Sequence, residues 1–154
     1  MTHLEELDRL IREYIDFALT LKQTSLVQKM FMDKRQNDGD HPAHMAFFEA
    51  VGSWAAEFAA ASPSQEELTK ALEQLLLTAY GYRDKMPYWY LLAIQGHAVH
   101  LIPLLEEERR QPLLKAFEAQ YPRSSQLPAQ RQVSELLRGQ KAQKRKSLLS
   151  FFRF

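Results

Sequence analysis

Tyr88-Trp-Tyr-Leu-Leu-Ala-Ile-Gln-Gly-His-Ala-Val-His-Leu-Ile102 is the most apolar stretch of this 154-residue chain. Apolar side chains cover nearly every side of the helix that it would form, and such a helix is normally buried because no face is left for water. A bilayer span needs about 20 consecutive apolar residues. This stretch has 15 residues, interrupted by polar ones. We therefore expect a buried central helix in a water-soluble domain.

The segments on both sides of this stretch have helical spacing of apolar residues, and no strand pattern is found. Ser64 and Glu67 form the signature of a capping box at one helix start. Pro112 and Pro128 are expected to begin short helices, and Gly139 to end the last one. The predicted fold is all-α: a bundle of about four main helices plus short C-terminal helices. The main helices are expected at about 4–21, 41–61, 65–80 and 88–102, and the first is equally expected to continue as one long helix to Gln36. The small residues of the second helix predict that it faces the central helix.

The length fits a single domain, and the chemistry changes near its end. We predict a bundle domain at 1–138 and a C-terminal tail at 139–154. The chain has no cysteine, which excludes disulfides, thiolate nucleophiles and cysteine-ligated metals. The first residues carry no basic and apolar run of the kind that a secretory signal has, so we expect a cytoplasmic protein.

Charge is divided unevenly between the body and the tail. Six basic residues lie from Arg138 onward, and no acidic residue follows Glu135. The other 14 basic and 19 acidic residues leave 1–137 with a net charge of −5. A body of this sign is a poor surface for nucleic acid. Binding to an anionic partner would have to use the tail.

The tail combines positive charge with large apolar residues. Read as a helix, it places leucine and phenylalanine on one broad side and basic residues on the other. Such a helix suits an acidic groove on another protein or an anionic membrane surface. It could also pack on its own bundle or on a second copy of the chain, as a homodimer. The residues predicted to bind a partner are Lys144, Arg145, Leu148, Phe151, Phe152 and Phe154.

Leu148, Phe151 and Phe152 follow a basic run at the end of the chain. This pattern resembles the short peptide by which replication and repair proteins dock on sliding clamps. The resemblance implies that the leucine and the aromatic pair fill one apolar pocket. That family has a glutamine three residues before the aliphatic residue, where this chain has Arg145.

A second candidate for partner binding is the group of aromatic and charged residues before the central helix. Tyr82, Arg83 and Trp89 belong to it, and aromatic residues and arginine are enriched at protein interfaces. The alternative is that these aromatic side chains close one end of the bundle with their polar tips in water.

Two histidine pairs, His41 with His44 and His97 with His100, could bind a metal. Residues three apart share a helix face, and imidazole binds zinc, iron or nickel. His97 and His100, with His44 and Glu49 on the preceding helix, are therefore a candidate site for a divalent metal. The alternative is that the two histidines of the central helix are core or interface residues bonded to neighbouring side chains.

No serine lies in a nucleophile elbow and no glycine-rich phosphate loop is present, so the sequence does not support an enzyme. The leading hypothesis is an adaptor or regulatory protein that needs no cofactor and binds another protein through its tail. The alternatives are a metal-binding bundle, which could be an enzyme, and a peripheral membrane protein anchored by the tail.

Overall fold

The computed structural model describes residues 2–23, 42–77 and 88–139, with side chains for 2–17, 42–77 and 93–139. Within these ranges the chain forms six α-helices and no strand, which confirms the predicted all-α bundle. Two short 3-10 helices precede α5 and α6, at Ile102–Leu104 and Arg123–Ser125. The α-helices are α1 (His3–Gln23), α2 (Pro42–Ala60), α3 (Gln65–Leu76), α4 (Tyr88–Ala98), α5 (Glu107–Gln120) and α6 (Pro128–Leu137).

Helix α3 begins at the capping box that the sequence predicts. The Ser64 hydroxyl accepts from the Glu67 backbone N–H at 3.1 Å, and the Glu67 carboxylate accepts from the Ser64 N–H at 3.1 Å. These two bonds satisfy N–H groups that have no partner inside the helix. The helix then buries Leu68, Leu72 and Leu75, spaced at four and three residues.

Helix α4 lies at the centre, in contact with α2, α3 and α6. The residues from Ala93 to Ala98 of this helix, and Val99 just after it, are all buried, as the sequence predicts. Its most extensive packing is against α2, which confirms the predicted contact between these two helices, and Gly52 of α2 lies against His97. The prediction that α4 continues to Ile102 is wrong. Pro103 has no N–H to donate to the Val99 carbonyl, and its ring would crowd that carbonyl in an α-helix. The chain instead tightens into i→i−3 bonds from Val99 onward.

A second correction concerns Pro112, which lies inside α5 and does not begin a helix. Its ring removes one backbone bond early in the helix, an effect that costs about 3 kcal/mol in a helix interior. Side chains hold the preceding turn in place. The Arg110 guanidinium donates to the Leu105 carbonyl at 2.7 Å, and the Gln65 amide accepts from the Glu106 N–H at 2.8 Å.

Helix α6 ends where the sequence predicts. Gly139 has a φ of +90°, in the left-handed region that glycine adopts without strain. Its N–H donates to the Leu136 carbonyl at 3.0 Å. Arg138, just before it, forms an ion pair with Glu118 of α5. One of the six basic residues assigned to the C-terminal end is therefore bound to the body.

The core runs through all six helices, and Phe58, Leu72, Ile94, Phe117 and Val133 are almost completely buried in it. Among the described side chains, the exposed large apolar ones are Met45 and Leu104. None of the described helices has both the length and the apolar content that a membrane crossing requires.

Candidate functional site

The interface between α2 and α4 carries the histidines that the sequence singles out. His97 of α4 lies against the Phe48 ring, with ring centroids 4.4 Å apart. Its Nε2 is 2.9 Å from the Phe48 carbonyl oxygen. A carbonyl can only accept, so Nε2 carries the proton and donates. In a regular helix the same carbonyl also accepts from the Gly52 N–H. His97 thus adds a second donor to a carbonyl of α2.

Gly52 makes this approach possible. A Cβ atom at position 52 would lie 2.8 Å from Cε1 and 3.1 Å from Nε2 of His97. Real Cβ contacts at 2.8 Å essentially never occur, so the ring sits in the space that any other residue would fill. Glycine in a helix interior is about 0.5–1 kcal/mol less stable than alanine. Glycine at position 52 allows direct contact between the imidazole and the backbone of α2, and this contact offsets the cost.

The electrostatics of His97 follow from this packing. Burial of the ring is the main cause that lowers its pKa from an ordinary 6.5 to about 4. The charge that His100 can carry lowers the pKa further, and the bond to Phe48 opposes the shift. Near neutral pH the ring is therefore a neutral hydrogen-bond donor. His97 is thus buried, as the alternative to a metal site expects, but its hydrogen bond goes to a backbone carbonyl and not to a side chain.

His100 is on the exposed side of the same segment. Its ring centroid is 5.8 Å from that of His97, and partial burial lowers its pKa. Glu49 is exposed on α2. Within 2–23, 42–77 and 88–139, no three His, Asp or Glu side chains form a group that could hold a metal ion. The described geometry does not assemble the metal site, which stays a prediction.

His44, the third histidine of that prediction, is buried toward α1. Its Nδ1 and the Tyr14 hydroxyl share a hydrogen bond of 2.6 Å. The Tyr14 ring stacks on Phe47 with centroids 4.1 Å apart, and the Phe17 ring lies at 6.1 Å from that of His44. Burial raises the pKa of Tyr14 above its usual range, so the hydroxyl keeps its proton. His44 therefore helps to join α1 to α2.

On its other side, α4 meets α6 through buried amides that the sequence reasoning missed. Gln95 of α4 accepts from Gln130 of α6 at 2.9 Å and donates to the Leu76 carbonyl at 3.4 Å. The Gln130 carbonyl oxygen in turn accepts from the Leu127 N–H at 3.0 Å, at the start of α6. These bonds link α3, α4 and α6 without any ionised group.

Gln126 extends this set of buried amides. Its amide donates to the Ser134 hydroxyl at 2.8 Å and to the Tyr121 carbonyl at 2.9 Å. Buried polar groups need such partners, since an unpaired one costs about 1–3 kcal/mol. The only sequence signal for this network is that Gln126, Gln130 and Ser134 are spaced by four residues before and inside a helix.

The residues predicted to bind a partner cannot be placed. Trp89 belongs to α4, but its side chain is not among those described. The others lie outside the described residues: Tyr82, Arg83, Lys144, Arg145, Leu148, Phe151, Phe152 and Phe154. Of the predicted tail, the described residues include only Gly139.

No protein-family model, curated protein or solved structure matches this chain.

Proposed function

We propose that this chain is a helical adaptor or regulatory protein that binds another protein through residues 140–154. The observation that carries the proposal is the division of charge and apolar surface. Beyond Arg138 the chain has five basic residues, three phenylalanines and no acid, whereas 1–137 carries a net charge of −5. A basic segment with large apolar side chains suits an acidic groove on a partner.

The buried polar side chains of the described body support this proposal, because they make hydrogen bonds within the body. His44, His97, Gln95, Gln126 and Gln130 are buried, and each makes a hydrogen bond to another part of the body. These contacts hold helices together. They account for the buried polar side chains that would otherwise be the first candidates for substrate binding.

The small number of exposed apolar side chains on the described body also supports the proposal. Contiguous exposed apolar patches mark interaction sites on many proteins. Among the described side chains only Met45 and Leu104 are large, apolar and exposed, at 36% and 44%. The described surface thus offers little for recognition by apolar contact, whereas the last seven residues of the tail include two leucines and three phenylalanines.

The test compares the full chain with a variant that lacks 140–154 and with a triple charge reversal, Lys144→Glu, Arg145→Glu and Lys146→Glu. A matched control reverses three exposed basic residues of the body: Lys70→Glu, Lys115→Glu and Arg131→Glu. Tagged proteins are expressed in the native host and their co-purifying proteins are quantified. Binding of a purified sliding clamp is measured by fluorescence anisotropy as a defined probe.

We expect both tail variants to lose at least about 90% of the captured partner while the body control keeps it, a tenfold loss corresponding to about 1.4 kcal/mol. Thermal unfolding checks that every variant is folded. Capture of the same proteins by the deletion variant would refute the proposal. Flotation of the full chain with vesicles containing anionic lipid, without any protein partner, would favour the peripheral membrane alternative.

A further inference from the structure

The first half of α5 contributes no side chain to the core. Of the six residues from Glu107 to Pro112, five are exposed and Arg110 is half-buried. The buried side chains of this helix lie in its second half, at Leu113, Leu114 and Phe117. Just before the helix, Leu105 is only 1% exposed. Residues 106–111, which we call the strap, therefore connect two buried leucines and have no fully buried side chain of their own.

The backbone of the strap also has little support from within α5. The first N–H groups of any α-helix have no acceptor inside the helix. Pro112 has no N–H, so it cannot donate to the Glu108 carbonyl four residues before it. Glu106 is the N-cap residue, and its side chain makes no capping hydrogen bond. The strap therefore depends on bonds that come from outside its own helix.

The start of α3 is the matched contrast, because one backbone bond occupies the same position in both helices. In α5 the Arg110 N–H donates to the Glu106 carbonyl at 3.2 Å. In α3 the Leu68 N–H donates to the Ser64 carbonyl at 2.9 Å. Helix α3 supports this bond with its own capping box, and Leu68 is only 2% exposed. At the start of α5 the equivalent support has to come from a neighbouring helix.

Two side chains of α3 supply that support. The Gln65 amide donates to the Leu104 carbonyl at 3.0 Å and accepts from the Glu106 N–H at 2.8 Å. The Thr69 hydroxyl accepts from the Arg109 guanidinium at 3.3 Å and donates to the Gln65 carbonyl at 2.8 Å. Gln65 and Thr69 are four residues apart and share one face of α3. The strap is therefore bonded along a single edge of α3.

A shallow groove of about 340 Å³ lies between α3 and α5, beside the strap. Glu108 and Arg109 of the strap line it, and its apolar lining residues are Leu77, Pro112, Leu113 and Ala116. Because the strap forms part of the wall, its movement away from α3 would remove that part. The apolar lining would then be more open to water.

We propose that residues 106–111 open as one local unit, between Leu105 and Leu113, while the rest of the described bundle stays folded. Segments with few buried apolar contacts are the ones that open locally at low cost. Opening breaks the bonds to Gln65 and Thr69 and exposes the apolar lining of the α3–α5 groove. The strap does not include residues 140–154, so its test is independent of the proposed function.

Amide hydrogen exchange of the full chain, followed residue by residue by NMR, tests the strap. We expect the Arg110 amide to exchange at least about tenfold faster than the Leu68 amide, after correction for intrinsic rates. The amides of Glu106, Arg109 and Arg110 should share one protection factor within about twofold, because they open together. Protection that instead rises gradually along the helix would indicate simple fraying and would overturn the proposal.

Gln65→Ala removes the two bonds of the Gln65 side chain, and we expect it to speed exchange at Arg110 by about fivefold. Exchange at Phe117 should stay unchanged. The matched control is Gln74→Ala, which removes a bond from α3 to Asp8 of α1 and should leave Arg110 unaffected. Equal protection of Arg110 and Leu68 in the wild type would overturn the proposal. An equal acceleration of all amides in Gln65→Ala would do so too, since Gln65 would then act only on global stability.

Discussion

The two sides of α4 are held by different chemistry. Toward α2 the polar contact is made by His97, a titratable ring that lies directly over Gly52. Toward α6 it is made by Gln95 and Gln130, whose amides keep the same charge at every ordinary pH. Both contacts are buried and both join two helices. The difference shows that one central helix can have a pH-sensitive side and a pH-insensitive side.

This difference also separates two ways to position a helix. At the α2 side the missing side chain of Gly52 sets the distance, and the histidine fills the gap. At the α6 side the directional bonds of the amides set the register between helices. The first arrangement should respond to added volume, and the second to the loss of a hydrogen-bond partner.

The largest expected effect is on the pH dependence of stability. Above pH 6.5 the His97 ring is neutral in both the folded and the unfolded chain, so its protonation takes nothing from the free energy of unfolding. As the pH falls from 6.5 toward about 4, His97 binds a proton in the unfolded chain but not in the folded chain, and the free energy of unfolding decreases. That loss amounts to about 3 kcal/mol, from a shift of roughly 2.5 units at 1.36 kcal/mol each. Denaturant unfolding of wild type and His97→Gln at pH 7 and pH 4 measures it.

His97→Gln should therefore lose less stability than wild type over this range. Gln130→Met, on the amide side, should keep the wild-type pH dependence. Parallel stability curves for wild type and His97→Gln would show that the two sides of α4 do not differ in this way.

The next effect concerns the amides. Gln130→Leu removes the donor to Gln95 and the acceptor for the Leu127 N–H, and it leaves buried polar groups unpaired. We expect a loss of about 2–3 kcal/mol at pH 7, with no added pH dependence. The double variant Gln95→Leu/Gln130→Leu should be more stable than the sum of the single effects predicts. Simple additivity in denaturant unfolding would contradict direct coupling.

A smaller effect is expected from Gly52→Ala. The new methyl group meets the His97 ring at 2.8 Å, and overpacking of this kind costs about 1–3 kcal/mol. Better helix propensity returns up to about 1 kcal/mol, so we expect a net loss of about 1–2 kcal/mol. Ser53→Ala on the exposed face is the control and should not destabilise the protein. With His97→Ala in the background, Gly52→Ala should become neutral or stabilising, and a loss that persists there would exclude the clash as its cause.

The smallest effect tests the contact between α1 and α2. Tyr14→Phe removes the hydroxyl that bonds to His44, and we expect a loss of about 1 kcal/mol. The ring-nitrogen resonance of His44 should shift in NMR spectra while that of His97 stays in place. A matching shift at His97 would mean that the two histidines are coupled through α2.

The sequence predicts much of this fold because local rules suffice for it. The capping box of Ser64 and Glu67, the end of α6 at Gly139 and the contact between α2 and α4 are all confirmed. Pro112 was misjudged because side chains remote in sequence, such as Gln65, stabilise the turn that leads into α5. Helix propensities describe single residues and carry no information about contacts between residues that are distant in sequence.

The candidate site was less predictable than the fold. His97 and His44 were recognised as notable, but their partners are a carbonyl 49 residues away and a tyrosine 30 residues away. Hydrogen bonds over such separations leave no periodic pattern. The hydrogen bond between Gln95 and Gln130 was missed for the same reason, since the sequence places Gln95 in a buried helix but does not identify its partner 35 residues away.

The side chain of Gln65 has a consequence of its own. Its amide donates to the Leu104 carbonyl at 3.0 Å and accepts from the Glu106 N–H at 2.8 Å. One side chain thus imitates the two-sided pairing that a neighbouring β-strand would offer to an extended segment. Asparagine is one methylene shorter and glutamate lacks the donor, so glutamine alone has the reach and both polarities. The segment that leads into α5 is thus held to the start of α3 by a strand-like pair of hydrogen bonds from one side chain.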